Sequence, residues 1–122
     1  MHIVRLHHAQ ITIPIGAETS ARAFYCDLLK LKEIPKPDSL RSRGGFWLQL
    51  ADQQVHVGVE EKKSDSITKT HLAYQVNDLD AWQNILTSAG CTILTGEPIP
   101  GYERFETRDP FGNRLEFIQP IV

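Results

Sequence analysis

After a short lead the chain settles into alternation. From Leu6 the run Leu-His-His-Ala-Gln-Ile-Thr-Ile sets His8, Gln10 and Thr12 on one face of an extended segment and Ala9, Ile11 and Ile13 on the other. This predicts a strand with one polar and one apolar face, stopped by Pro14 and Gly16. The period then lengthens. Ala21, Phe24, Tyr25, Leu28 and Leu29 recur at helical spacing behind Thr19 or Ser20, either of which can cap the helix. Pro35 and Pro37 end a short extended piece, and residues 41–45 form a polar, glycine-bearing loop. Residues 46–50 and 54–59 read as two strands joined by Ala51, Asp52 and Gln53. In the second of these Val55, Val57 and Val59 share a face, which leaves His56 and Gly58 on the opposite one. Residues 60–69 carry no periodicity and read as a linker.

The same order then begins again. Residues 70–76 alternate with His71, Ala73 and Gln75 on one side, and Asn77-Asp78-Leu79-Asp80 supplies a helix cap with an acid in the first turn. Leu79, Trp82, Ile85, Leu86 and Ala89 form the apolar stripe of a helix that Gly90 ends. Residues 91–94 predict a short strand, 96–101 a proline-bearing loop, and 102–108 with 114–118 a hairpin. Its turn uses Pro110 for a fixed φ and Gly112 for a positive one, a structural rather than chemical role. Sixty-three residues separate His8 from His71, and sixty separate His56 from Glu116. So close an agreement points to a duplicated βαβββ unit, repeat one over 1–63 and repeat two over 64–122.

At 122 residues the chain is long enough for one hydrophobic core, so the repeats are expected to form a single domain. A net charge of -2 without a basic block argues against nucleic-acid binding. Lys62 and Lys63 stand beside Glu60 and Glu61 and read as a solvated linker. Residues 1–11 have no apolar run that would make a signal peptide or membrane span, so no membrane association and a cytoplasmic location are expected. Cys26 and Cys91 have no metal-binding or disulfide spacing and read as core thiols.

The duplication gives the histidines their meaning. A lone histidine on an inward strand face is commonly a hydrogen-bonded core residue. Here His8, His56, His71 and Glu116 occupy two equivalent positions in two repeats, all on the face away from the helices. Closing the two sheets on one concave surface would bring them together around a divalent ion, and a buried Glu116 needs a cation. Imidazole and carboxylate donors suit Zn, Fe, Mn, Ni or Co, and four ligands would leave positions open for a substrate. His7 competes with His8 for its place, but only His8 shares a face with Gln10 and Thr12; His2 reads as a terminal residue.

The residues resemble the vicinal oxygen chelate superfamily of glyoxalase I, extradiol dioxygenases, fosfomycin-resistance proteins, methylmalonyl-CoA epimerase and bleomycin-resistance proteins. The likeness spans nearly the whole chain. It rests on His-His-Ala-Gln-Ile-Thr-Ile at 7–13, Ala-Phe-Tyr-Cys-Asp-Leu-Leu at 23–29, Arg-Gly-Gly-Phe-Trp at 43–47, Val-His-Val-Gly-Val-Glu at 55–60, His-Leu-Ala-Tyr-Gln-Val at 71–76 and, most specifically, Arg-Asp-Pro-Phe-Gly-Asn-Arg-Leu-Glu at 108–116. It implies an α+β fold in which two βαβββ repeats form a partly closed mixed-sheet barrel with helices outside. By the resemblance, His8, His71 and Glu116 match a two-histidine, one-glutamate metal set. His56 stands where bacterial glyoxalase I has a glutamate, which weakens the match to glyoxalase I itself and leaves His56 either a fourth ligand or an acid or base beside the ion. The resemblance also implies a homodimer.

The expected activity is that of a metal-dependent lyase or isomerase of glyoxalase type, acting on a small substrate that chelates the ion through adjacent oxygens, with Glu116 and His56 as catalytic groups. Arg104, twelve positions before Glu116, reads either as a group that holds a substrate carboxylate or phosphate or as a surface charge on an edge strand. Glu106 is a candidate base beside it, and Trp47 and Gln49 are candidate lining residues. The alternatives are an extradiol dioxygenase, a fosfomycin-type thiol transferase, and a metal-free drug- or metabolite-binding protein of the bleomycin-resistance kind.

Overall fold

Alternating apolar residues form strands because only one face of each can be buried, and in this computed structural model they do so twice. Residues 1–61 and 68–122 are described; the Lys62–Lys63 part of the expected linker lies outside them. The chain divides into two compact units, Met1–Lys63 and Ser64–Val122. Among the described residues no helix is long and apolar enough to cross a membrane.

The first unit runs β1 (His8–Pro14), helix α1 (Glu18–Arg22), β2 (Lys32–Ile34), β3 (Phe46–Leu50) and β4 (Gln53–Glu60). The sheet order is β1-β4-β3-β2, with β1 parallel to β4 and the other neighbours antiparallel. Ile13, Phe46, Leu48, Val55 and Val57 share one face of the sheet, and Ala21, Phe24, Tyr25 and Leu29 of the helical segment are buried as they are. Each large side chain in this layer contributes about 2 kcal/mol by leaving water. Arg22 closes its edge, lying 4.7 Å over the Phe46 ring and pairing with Glu33.

Two local expectations are corrected here. The helix begins after Ala17 with no side-chain cap, so neither Thr19 nor Ser20 serves as one. It also widens into a π-helical stretch, Ala23–Leu28, in which the Leu29 amide donates to Phe24 O. The wider turn buries the adjacent rings Phe24 and Tyr25 together with Leu29 and leaves Leu28 half-buried. Residues expected as loop partly form a 3₁₀ turn, Asp38–Arg43, followed by Gly44 and Gly45 at positive φ.

The second unit runs β5 (His71–Gln75), α2 (Leu79–Ser88), β6 (Tyr102–Arg108) and β7 (Arg114–Pro120), in the sheet order β5-β7-β6. Asp78 caps α2 by accepting from the Ala81 amide, Gln119 accepts from the Leu79 amide, and Gly90 follows at φ +89. Tyr74, Leu86, Phe105, Leu115 and Phe117 form the buried layer, with Trp82 of α2 packed on Phe117. In the hairpin turn the Asp109 carboxylate accepts from the Phe111 and Asn113 amides, and Gly112 has φ +95. The strand expected over 91–94 is reduced to one bridge, Leu94 to Glu106, and Thr92 O accepts from the Thr107 hydroxyl. Each unit thus has the βαβββ order, the second with the first strand after its helix cut to that bridge.

Gly45 is the sharpest steric test of this arrangement. A Cβ there would sit 2.0 Å from Val57 O at φ +77, whereas at Gly16, φ +84, it would meet nothing within 4 Å. Gly45→Ala is expected to cost roughly 3 kcal/mol or more in urea unfolding, against about 1 kcal/mol for Gly16→Ala.

Candidate metal centre

In the second unit the charged groups collect on the sheet face opposite α2. β7 lies between β5 and β6, so Glu116 at its centre is opposite Ala73 on one side and Glu106 on the other. Ala73 cannot reach it, but His71, two residues earlier on the same face, can: its Nε2 lies 3.2 Å from Glu116 Oε1. Arg104, two residues before Glu106, donates from Nη1 to Glu106 Oε1 and to Glu116 Oε1 at 3.0 Å each. Arg114 holds Glu106 Oε2 through Nε and Nη2. Glu106 and Glu116 are only 5% and 6% exposed, so these partners are what make their ionisation tolerable. Burial pushes the Glu106 carboxyl up, but the hydrogen bonds from Arg114 and Arg104 outweigh it and hold the group below the usual carboxylate range.

His71 carries the chemical signal. Its Nδ1 lies 2.8 Å from Lys69 O. A carbonyl oxygen only accepts, so Nδ1 bears a hydrogen and Nε2 is the nitrogen that faces the carboxylate. Two acceptors at that distance repel unless a second proton or a shared cation lies between them. The donor atoms of His71, Glu106 and Glu116 all lie within 4.8 Å of one another, and this nitrogen and oxygen set fits a divalent transition metal. The fit requires Arg104 to share or release Glu116 Oε1.

The first unit repeats the placement with different chemistry. β4 lies between β1 and β3, His56 at its centre is opposite Gln10 and Trp47, and His8 sits two residues before Gln10. His8 and His56 therefore stand in the same register as His71 and Glu116. The rings form a stack, Trp47 to His56 at 3.9 Å and His56 to His8 at 4.1 Å. Gln54 Oε1 lies 2.9 Å from His56 Nε2, which must donate to it, leaving Nδ1 as the free acceptor. His7 Nδ1 lies 3.0 Å from His8 Nδ1. Burial first, then the neighbouring His8 and His7, pushes His56 down to about 4, so its ring is neutral at pH 7.

The four expected ligands are thus present as two pairs, His8 with His56 and His71 with Glu116, each inside its own unit. Other expectations change. Glu116 does not need a metal to offset its charge, because Arg104 already does so. Arg104 is committed to the protein's own carboxylates and to Glu97 O at 2.9 Å. Glu106 belongs to the cluster with metal-binding reach, and its lowered pKa makes it a weak base. Gln49 Nε2 donates to Ala51 O and Gln53 O within its own hairpin. Arg114, absent from the expected site residues, shares the Glu116 face by simple alternation. Gly96 was not legible: a Cβ there would fall 2.6 Å from the Arg104 guanidinium, so glycine gives that side chain its berth.

Residues 5–117 match the family model of the Glyoxalase/Bleomycin resistance protein/Dioxygenase superfamily. A search of curated proteins found no match. Among solved structures, a protein from Bacillus anthracis assigned to the glyoxalase family is 36% identical, with 99% of this chain and 98% of that one covered at a TM-score of 0.90. A genomically encoded fosfomycin resistance protein from Listeria monocytogenes is 15% identical over 99% and 94% of the two chains, TM-score 0.77. Lactoylglutathione lyase from Agrobacterium tumefaciens is 16% identical over 97% and 95%, TM-score 0.74. These two show likeness of fold alone.

The lowered His56 pKa has a signed consequence for the metal-free protein. As pH falls from 6.5 towards about 4 the unfolded chain takes a proton at this position and the folded one does not. Stability should therefore fall across that window and level off below it. Urea midpoints measured from pH 7 to 4 are expected to decline less steeply in His56→Phe, which keeps a ring in the stack and removes the titration.

Proposed function

Since this chain belongs to the Glyoxalase/Bleomycin resistance protein/Dioxygenase superfamily, we propose that it is a metal-dependent enzyme of glyoxalase type, a lyase or isomerase whose small substrate chelates one divalent ion through adjacent oxygens. His71 and Glu116 would hold the ion, with His8 and His56 as the remaining ligands. The two sheets closing on a common concave surface, within one chain or across a homodimer, is part of the same proposal. The observation that carries it is the His71 nitrogen turned by Lys69 O onto a carboxylate oxygen, an arrangement that a shared cation relieves.

When bound, the ion supplies Lewis acidity, polarising substrate oxygens. The chain's own groups do the rest. Arg104 and Arg114 balance the charge of Glu106 and Glu116, so a divalent ion beside both guanidiniums leaves the cluster positive and favours an anionic substrate. Glu106, kept ionised, acts by its charge and stands within reach as a further ligand rather than as a base. His56, neutral at pH 7 with Nε2 held by Gln54, has Nδ1 as the nitrogen it would turn to the ion. Thiol transfer and ring-cleaving dioxygenation remain reactions of the same superfamily to be screened beside lyase chemistry.

One observation favours a second reading. Arg104 and Arg114 satisfy both carboxylates without any metal, as a metal-free binding protein would require. Elemental analysis of protein purified without chelator separates the two. The enzyme reading predicts about one equivalent of a transition metal, lost in His71→Ala and Glu116→Gln. The binding-protein reading predicts almost none, with no change in the variants. Metal-loaded protein is then assayed with methylglyoxal plus thiols, with catechols and with fosfomycin, and turnover of the first is expected.

A further inference from the structure

The polar face of the first unit's sheet holds a cavity of about 430 Å³ that is lined by the His8 and His56 pair and also by groups outside the ligand set. Its floor is the ring stack. Trp47, His56 and His8 come from three adjacent strands and stack along the strand-to-strand direction, so their faces point at one another and their edges point out of the sheet. Ring edges carry the positive end of the aromatic quadrupole.

Two cations stand over that floor. Lys36 follows β2 and anchors its ammonium on Gly44 O at 2.6 Å, so the charge is fixed in place while two of its three hydrogens stay free. Arg43, the last residue of the 3₁₀ turn, also lines the cavity, and among the described residues no carboxylate pairs with it. Arg41, two positions earlier, is by contrast spent on Asp38. No acidic side chain lines the cavity among the described residues; Glu18 approaches Gly44 but is not part of the wall. The backbone supports the shape, since Gly45 packs so tightly on Val57 that the turn bearing Arg43 is held against β4.

We propose that this cavity is the subsite for a small organic anion, a carboxylate or phosphonate whose charged head is held by Lys36 and Arg43 and whose body rests on the Trp47, His56 and His8 edges. The proposal deepens the functional reading above by naming the substrate's charge class, and it rests on that reading only for turnover. The charged head is held by Lys36 and Arg43, which need no metal.

The test is fluorescence titration of the full chain in the Trp82→Phe background, which leaves Trp47 as the sole indole. Phenylphosphonate is the probe and benzyl alcohol its uncharged counterpart. Both are run on protein as purified and after chelator treatment, in buffer free of competing anions. Phenylphosphonate is expected to quench Trp47 saturably in both preparations, with benzyl alcohol inert. Arg43→Gln and Lys36→Gln should each weaken binding roughly tenfold, and Arg43→Lys should restore part of the loss. Among the described residues Arg43 has no side-chain partner, so its variant reads charge without disturbing the turn. Equal binding of the alcohol, unchanged affinity in the Arg43→Gln, Lys36→Gln double variant, or no saturable quenching would each overturn the proposal. Quenching lost only on chelator treatment would also do so, since the ion and not the two cations would then be the anchor. Metal content that fails while this binding persists would remove the enzyme reading and leave the subsite standing.

Discussion

Two carboxylates almost wholly out of water, side by side on one sheet, constrain everything around them. Glu106 and Glu116 face each other across β6 and β7, and like charges so placed repel unless cations intervene. Arg104 bridges them, Arg114 closes the far side, and His71 approaches from β5. Gly96 has no side chain so that the guanidinium can lie flat, and Glu97 O fixes its Nε. Removing either arginine would strand a buried charge, which costs far more than an exposed ion pair contributes. The same cluster is where a divalent ion would have to compete, so the stability of this sheet and its chemistry share one set of atoms.

The doubled fold explains why such a cluster exists in only one half. Both sheets present a central strand flanked by a parallel and an antiparallel neighbour, and both place a histidine two residues before the partner of the central group. In the first unit the central group is His56 and its antiparallel partner is Trp47; in the second they are Glu116 and Glu106. The place of Arg104 is taken in the first unit by Gly45, pressed on Val57 O. One half is thus aromatic and carries its positive charge on a loop beside the sheet, while the other packs its charges into the sheet face. A shared backbone register has been filled with complementary chemistry.

The fold was legible because its signals are periodic. Alternation in β1, β4, β5 and β7 and the stripe along α2 follow from burying one face, and the spacing of His8 and His71 revealed the repeat. Finer features were not legible for physical reasons. The π-helical turn at Ala23–Leu28 arises from fitting two adjacent rings into one layer, which spacing alone does not report. The strand expected over 91–94 looked like its counterpart β2 but keeps a single bridge to Glu106, with Thr92 O bonded to a side chain, the Thr107 hydroxyl, which alternation does not report. At the site, alternation placed Arg104, Glu106 and Glu116 on one face. It could not say that Arg104 would bind the carboxylates rather than a ligand, because that depends on which partner is nearer in space. Lys36 and Arg43 lie in irregular segments, where no period marks which residues turn towards a cavity.

Whether the His71 and Glu116 pair accepts a divalent ion in place of part of Arg104's hold decides what this site can do. Anomalous diffraction at the absorption edge of the metal, from crystals of protein never exposed to chelator, reads this directly. A single anomalous peak within bonding reach of His71 Nε2 and the Glu116 carboxylate, with Arg104 withdrawn from Glu116, is the predicted result. An absent peak with Arg104 still on both carboxylates, or a peak held by other residues, would contradict it.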